Sequence, residues 1–109
     1  MVNAYYSTNI QKQTLIDLMP NLKQTIAEQL TCGDITLKSN EISIRLIETL
    51  PEGMIAPVEL EMYAHSFAER IRKQDELCLI IREYLMQAAP ELDEVRVWLV
   101  LSELGHSWE

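Results

Sequence analysis

The hydrophobic pattern changes period several times along the chain, and each change marks an element. Residues 2–6 are short, β-favouring and followed by the polar cluster Ser7-Thr8-Asn9, which predicts a strand running into a helix. Thr8 and Gln11 stand at capping-box spacing, where each side chain satisfies an orphan donor of the first turn. Ile10, Leu15, Ile16, Met19, Leu22, Ile26 and Leu30 then recur at helical intervals, with Lys, Gln and Glu between them. Gly33 supplies a residue that takes positive φ where such a helix stops. Pro20 interrupts the run, because its ring clashes with the carbonyl four residues back. The chain can kink there or restart its helix near Pro20. The apolar stripe continues in phase, which favours a kinked helix over residues 10–30.

Residues 41–49 switch to period two, with Ile42, Ile44 and Leu46 on one side and Ser43, Arg45 and Ile47 on the other. Leu50-Pro51-Glu52-Gly53 is turn chemistry. A strand over residues 58–63 follows, with Val58, Leu60 and Met62 alternating against Glu59, Glu61 and Tyr63. Ser66 and Glu69 form a second capping-box pattern. Behind it Phe67, Ile71, Gln74, Leu77, Ile81, Tyr84 and Ala88 step at three or four residues, so a long helix reaches Ala89 before Pro90. The last strand covers residues 95–104: Val95, Val97, Leu99 and Leu101 face one way, Arg96, Trp98 and Val100 the other.

The element order is therefore βαββαβ, an α+β chain read as one domain over residues 1–109, with β-α-β halves at about 2–49 and 57–104. Burying both helical stripes together gives a four-stranded mixed sheet with two helices on one face. The other face then carries Ile47, Tyr63, Trp98 and Val100 among Arg45, Arg96, Glu59 and Glu61. Such a face is too apolar for open water and predicts self-association.

Composition narrows the classes. In 109 residues there are 9 Lys+Arg against 17 Asp+Glu, a net charge of −8. A nucleic-acid partner is not expected, because phosphate contacts need clustered Lys and Arg. Apolar residues make up 48%, ordinary for a globular chain. Apolar runs such as residues 98–101 fall far below the ~20 residues of a membrane span, so no membrane partner is expected. The N-terminal residues lack a basic region ahead of an apolar run, so no secretory signal is read there. Cys32 and Cys78 lie 46 residues apart, which is not metal-pair spacing, and free thiols are expected. The expected location is cytoplasmic.

Two arrangements satisfy the element order: a ferredoxin-like sheet, serving as an interaction module, and the tautomerase fold. The segments Ile44-Arg45-Leu46-Ile47-Glu48-Thr49, Pro51-Glu52-Gly53, Pro57-Val58-Glu59-Leu60 and Gln74-Asp75-Glu76-Leu77 resemble an uncharacterised bacterial family. That family is similar in fold to macrophage migration inhibitory factor and 4-oxalocrotonate tautomerase, and the resemblance spans residues 18–100. It implies a homotrimer in the tautomerase arrangement, with no cofactor. It also implies keto–enol isomerase chemistry or binding of a small carboxylate. In those enzymes an N-terminal proline amine is the general base. Here Val2 follows Met1, so the proline base is missing, and general-base catalysis tolerates little displacement of the amine.

The candidate binding residues are Arg45, Tyr63, His65 and Trp98. Arg45 could hold a carboxylate bidentately or pair, like Arg96, with Glu59, Glu61 or Glu94 across strands. His65 is read in the turn before the second helix, where free backbone N–H groups could meet an anion. Tyr63 and Trp98 could line a pocket at a subunit boundary or anchor that boundary. Arg70, Arg72 and Lys73 read as a basic surface face, with an anion site as the alternative. His65 and His106 have no third ligand at metal spacing, and no phosphate loop, nucleophile elbow or zinc motif is present.

Overall fold

The structure, a computed structural model, describes residues 1–31 and 36–102. Its elements are β1 (Val2–Ser7), α1 (Lys12–Leu30), β2 (Ile44–Thr49), β3 (Val58–His65), α2 (Ala68–Ala88) and β4 (Val95–Ser102). Short 3₁₀ turns at Ser39–Glu41, Pro51–Gly53 and Pro90–Leu92 lead into β2, β3 and β4. The expected end of β4 at Leu104, the helix stop at Gly33, Cys32 and His106 lie outside the described residues.

The sheet order is β2-β1-β3-β4. β1 pairs with β2 in parallel, Val2 opposite Ile44 and Ser7 opposite Thr49. β3 pairs with β4 in parallel, Val58 opposite Val95, and the two halves meet where β1 and β3 run antiparallel. Parallel neighbours need a crossover, and α1 and α2 supply one each. Each β-α-β unit thus keeps its strands adjacent. A split unit, with a foreign strand between them, is the ferredoxin-like alternative, and this topology excludes it.

One face of the sheet is covered. Val2, Ala4 and Tyr6 of β1, Val58, Leu60 and Met62 of β3, and Val95 of β4 form one core. They pack with Leu15, Leu22, Ile26, Ala27 and Leu30 of α1, and Leu77, Ile81 and Leu85 of α2. The period-two and period-3.6 positions therefore meet as binary patterning dictates. Helix α1 runs unbroken through Pro20, so the restart does not occur.

Three details depart from expectation. Neither α1 nor α2 has a side-chain cap: Gln11 and Phe67 are the N-caps, and neither makes the bond. The chain leaves β1 through a tight turn instead, with the Ile10 N–H donating to the Ser7 carbonyl at 2.9 Å and the Asn9 N–H to Ser7 Oγ at 3.2 Å. Second, the inward stripe of α2 begins on Arg70, and Ile71 is 50% exposed. Third, β3 continues to His65, paired with Ser102, so His65 ends a strand and does not sit in the turn.

Among the described residues, nothing forms a covering layer on the opposite sheet face. Its rows read across the strands as Ile47, Tyr5, Glu59, Arg96, then Arg45, Asn3, Glu61, Trp98. Tyr63, Trp98 and Val100 remain exposed there, as the alternation predicted.

Candidate functional site at the head of the first strand

Met1 prolongs β1 by one rung. The Tyr63 N–H donates to the Met1 carbonyl at 2.8 Å, and the Met1 amine donates to the Tyr63 carbonyl at 3.2 Å. Beside this rung lies a cleft of about 410 Å³. Its walls come from the end of α1 (Leu30), the segment entering β2 (Leu37, Glu41, Ile42), the end of β3 (Tyr63, Ala64, His65), the start of α2 (Phe67, Arg70) and Ser102 of β4. Five elements converge because the parallel crossovers bring the end of α1 and the start of α2 to the same end of the sheet.

Among the described residues, the Met1 amine and Arg70 stand against Glu41 in this cleft. Burial holds the Met1 amine below its ordinary value, and the like charge of Arg45 lowers it further. Arg45 has no ion pair or hydrogen bond among the described residues. The carboxylates that could have answered it are engaged elsewhere on the sheet. Glu61 accepts the Tyr5 hydroxyl at 2.9 Å, which raises the Tyr5 pKa together with burial. Glu59 accepts the Ile55 and Ala56 N–H groups at 2.6 and 3.1 Å. Arg96 stands 3.9 Å from Glu94. Glu41, in the cleft wall, accepts the Lys38 N–H at 2.9 Å.

Of the four residues singled out from sequence, Tyr63 and His65 line the cleft together with Met1. Arg45 is not among the cleft walls; it stands on β2 opposite Asn3, and its charge lowers the Met1 amine pKa. Trp98 lies apart, opposite Glu61 on β4, in a separate hollow with Arg82 and Glu94.

Arg70 was misplaced by sequence. It is 3% exposed, not part of a surface face, whereas Arg72 and Lys73 are exposed. Its Nε and Nη2 donate to the Leu30 carbonyl at 2.9 and 2.8 Å, and its Nη1 donates to the His65 carbonyl at 3.0 Å. The Phe67 ring covers one face of the guanidinium at 4.9 Å, with the His65 ring edge-on to it. A signal was available: Leu77, Ile81 and Leu85 set the inward phase, and two turns back from Leu77 falls on Arg70.

Among the described residues no three His, Cys, Asp or Glu side chains converge as for a metal ion. The Cys78 thiol is free and half-buried, and burial with the nearby Asp75 pushes its pKa up. Among those residues no helix is long and apolar enough to cross a membrane.

The fold has relatives among solved structures. A malonate semialdehyde decarboxylase, described for its decarboxylase and hydratase activities, is similar over 100% of this chain and 90% of its own, with TM-score 0.72 and 11% identity. The fold is that of the tautomerase superfamily. A malonate semialdehyde decarboxylase inhibited by 3-bromopropiolate is similar over 100% of this chain and 87% of its own, with TM-score 0.75 and 12% identity. A symmetric trimer of fused 4-OT is similar over 96% and 88%, with TM-score 0.69 and 14% identity. No family model matches the sequence, and no curated protein does.

Proposed function

We propose that this protein is a tautomerase-fold trimer whose cleft at the head of β1 binds a small carboxylate without fast keto–enol isomerisation. The observation that carries the reading is the cleft in which Met1, Tyr63, His65 and Arg70 meet, with the Arg45 charge lowering the Met1 amine pKa and no described carboxylate paired with Arg45. Like charges held together disfavour each other, and an anion between them relieves that cost. Tyr63 and His65 stand beside Met1 in the same wall, one a hydroxyl donor and the other an imidazole.

The trimer reading rests on the uncovered sheet face, where Tyr63, Trp98 and Val100 are 37%, 39% and 45% exposed. It rests also on the trimeric state of the fused 4-OT relatives. The missing proline supports the non-isomerase half of the reading, since Val2 provides no secondary amine. The free Cys78 thiol suits a reducing, cytoplasmic setting.

The test is calorimetric titration with pyruvate at low salt. Arg45→Ala should weaken binding roughly fivefold, the ~1 kcal/mol expected of a solvent-exposed charge close to the ligand. Unchanged affinity in Arg45→Ala refutes the carboxylate site. Ketonisation of an enol form of a 2-keto acid should stay near the buffer rate. An acceleration of about 10²-fold or more, the contribution of a positioned base, refutes the non-catalytic half.

A further inference from the structure

The far end of the sheet, where β1 stops, carries a groove of its own. A hollow of about 290 Å³ lies between Ser7 and Ile10, the segment ahead of β3 with Met54 and Ile55, and Leu92 ahead of β4. A second hollow of about 320 Å³ shares Ile10 and Leu92 with it and runs on to Gln11 and Thr14 at the start of α1. Each is near the ~300 Å³ lower bound of sites that enclose a small ligand. What fits is a row of side chains offered by a longer chain.

The banks are fixed and apolar. Two 3₁₀ turns, Pro51–Gly53 and Pro90–Leu92, each begin on proline, which locks φ. The Glu59 carboxylate accepts the Ile55 and Ala56 N–H groups at 2.6 and 3.1 Å, so the segment carrying Ile55 is held by its backbone. Even so, Leu50 and Ile55 are 68% and 67% exposed, the highest values among the exposed large apolar residues described. Neither lies in a strand, so the rows of the open sheet face do not include them. Large apolar side chains grouped on a fixed loop mark a contact surface.

Charge identifies what meets that surface. Glu91 and Asp93 are the charged residues among those lining the groove, and neither carboxylate has an ion pair or hydrogen bond among the described residues. Glu52, exposed beside Pro51, adds to the acidic rim. The nearby cations leave these carboxylates unanswered. Lys12 is exposed and outside the lining, Arg82 donates to the Val95 carbonyl at 3.0 Å, and Arg96 stands 3.9 Å from Glu94. Asp93 has φ 70° and ψ −65°, and the Glu94 N–H donates to the Leu92 carbonyl at 2.8 Å. That is the strained form of the γ-turn, accepted here at the rim. Ser7, 4% exposed, accepts the Asn9 N–H on its Oγ. Its hydroxyl donates to no described group, which leaves that proton for a carbonyl of an incoming chain. A second copy is a poor occupant, because two such grooves face to face set acidic rims together, in a chain of net charge −8.

We propose that this groove docks a partner protein through a segment in which large apolar side chains stand next to lysine or arginine. The apolar side chains cover Ile10, Met54, Ile55 and Leu92, and the cations meet Glu91 and Asp93. The proposal is independent of the carboxylate cleft, which lies at the other end of β1.

The probe is a capped hexapeptide of alternating leucine and lysine. It is titrated into the full chain at about 0.15 M salt, where loose attraction to the net charge is screened, with calorimetry and the methyl resonances of Ile10 and Ile55 as readouts. It should bind at least tenfold tighter than the leucine–glutamate and the serine–lysine hexapeptides, and both methyl signals should move. Glu91→Gln with Asp93→Asn should bring the lysine-to-glutamate ratio below threefold, and Ile55→Ser should weaken the leucine–lysine peptide at least fivefold. These positions are exposed, so the variants should fold and keep the wild-type mass in light scattering. A loss of mass in Ile55→Ser assigns the loop to a contact between copies and overturns the partner. Equal affinity for the lysine and glutamate peptides overturns the charge complementarity, and equal affinity for the leucine–lysine and serine–lysine peptides overturns the apolar contact. Binding that leaves both methyl signals in place, or no binding at all, overturns the groove.

Discussion

Replacing Trp98 by alanine separates the stability of the fold from that of the assembly. Trp98 stands on the uncovered sheet face, across from Glu61, and is 39% exposed. A large aromatic side chain presents ~250 Å², so ~100 Å² of it remains for a partner subunit to cover. At ~25 cal/mol per Å² this contributes ~2.5 kcal/mol for each copy, and ~7 kcal/mol for a closed trimer. The concentration at half-dissociation scales as the square root of the trimer constant, so it should rise about 10²–10³-fold in Trp98→Ala. The isolated fold should barely notice. Trp98 is not in the core cluster, and substitutions outside cores change unfolding free energy by about 1 kcal/mol or less. Light scattering after size exclusion, over a dilution series, reads the mass directly. Wild type should give about 38 kDa, three times 12.6 kDa, and Trp98→Ala should fall to the single-chain mass at concentrations where wild type does not. Equal masses for the two proteins across the series would refute the covered face, as would wild type at 12.6 kDa throughout.

Other expectations follow from single residues. The Met1 amine should titrate below 8.0, and Arg45→Ala should move it part of the way back, because burial is the larger cause and stays; an NMR titration that finds no movement contradicts the like-charge argument. Since the fold disfavours the charged amine, its contribution to stability is present above pH 8.0 and is lost as pH falls through the lowered pKa. Ile81→Ala, at a fully buried position of α2, should cost ~2–5 kcal/mol in urea unfolding, and a loss below ~1 kcal/mol means that α2 is not seated as described. Pro20 lies inside α1 on an exposed position; Pro20→Ala should raise stability by about 1–3 kcal/mol, restoring a helical hydrogen bond, and a fall in stability contradicts the continuous helix.

The element order and the two sheet faces were legible in the sequence because period alone decides them. Val58, Leu60 and Met62 against Glu59, Glu61 and Tyr63 state which face is buried without any knowledge of neighbours. Strand neighbours are another matter. Nothing local distinguishes β1 beside β2 from β1 separated from it, since both arrangements bury the same residues; that choice is made by crossover packing. Capping failed for a similar reason. Thr8 and Gln11 have the right spacing, but the turn out of β1 is already closed by N–H bonds to the Ser7 carbonyl and Oγ. The first turns of α2 misled most. Ile71 looked like the inward residue because it is apolar, yet helical phase carried back from Leu77 selects Arg70. Hydrophobicity and phase disagreed there, and phase prevailed because a guanidinium can be buried where carbonyls receive it.

That disagreement sits at the cleft, where local rules are expected to be broken in favour of function. The same holds at the head of β1. Val2 is 1% exposed and its N–H donates to the Ser43 carbonyl at 2.8 Å, so this nitrogen serves the sheet, whereas the Met1 amine borders the cleft. Excision of Met1 would turn the Val2 nitrogen into the terminal amine. It would keep a hydrogen-bond acceptor in Ser43, but it would forfeit the Met1 rung against Tyr63. The two forms of the chain thus present their amine one rung apart, about 3.3 Å along the strand. Proton transfer demands hydrogen-bond reach, so the two forms cannot serve one ligand pose equally. Intact-mass analysis of the cellular protein, paired with pyruvate titration of both forms, ties the position of the amine to the anion. If the Met1 amine helps to draw the carboxylate in, the excised form should bind it more weakly; equal affinities would leave Arg45 as the charge that matters.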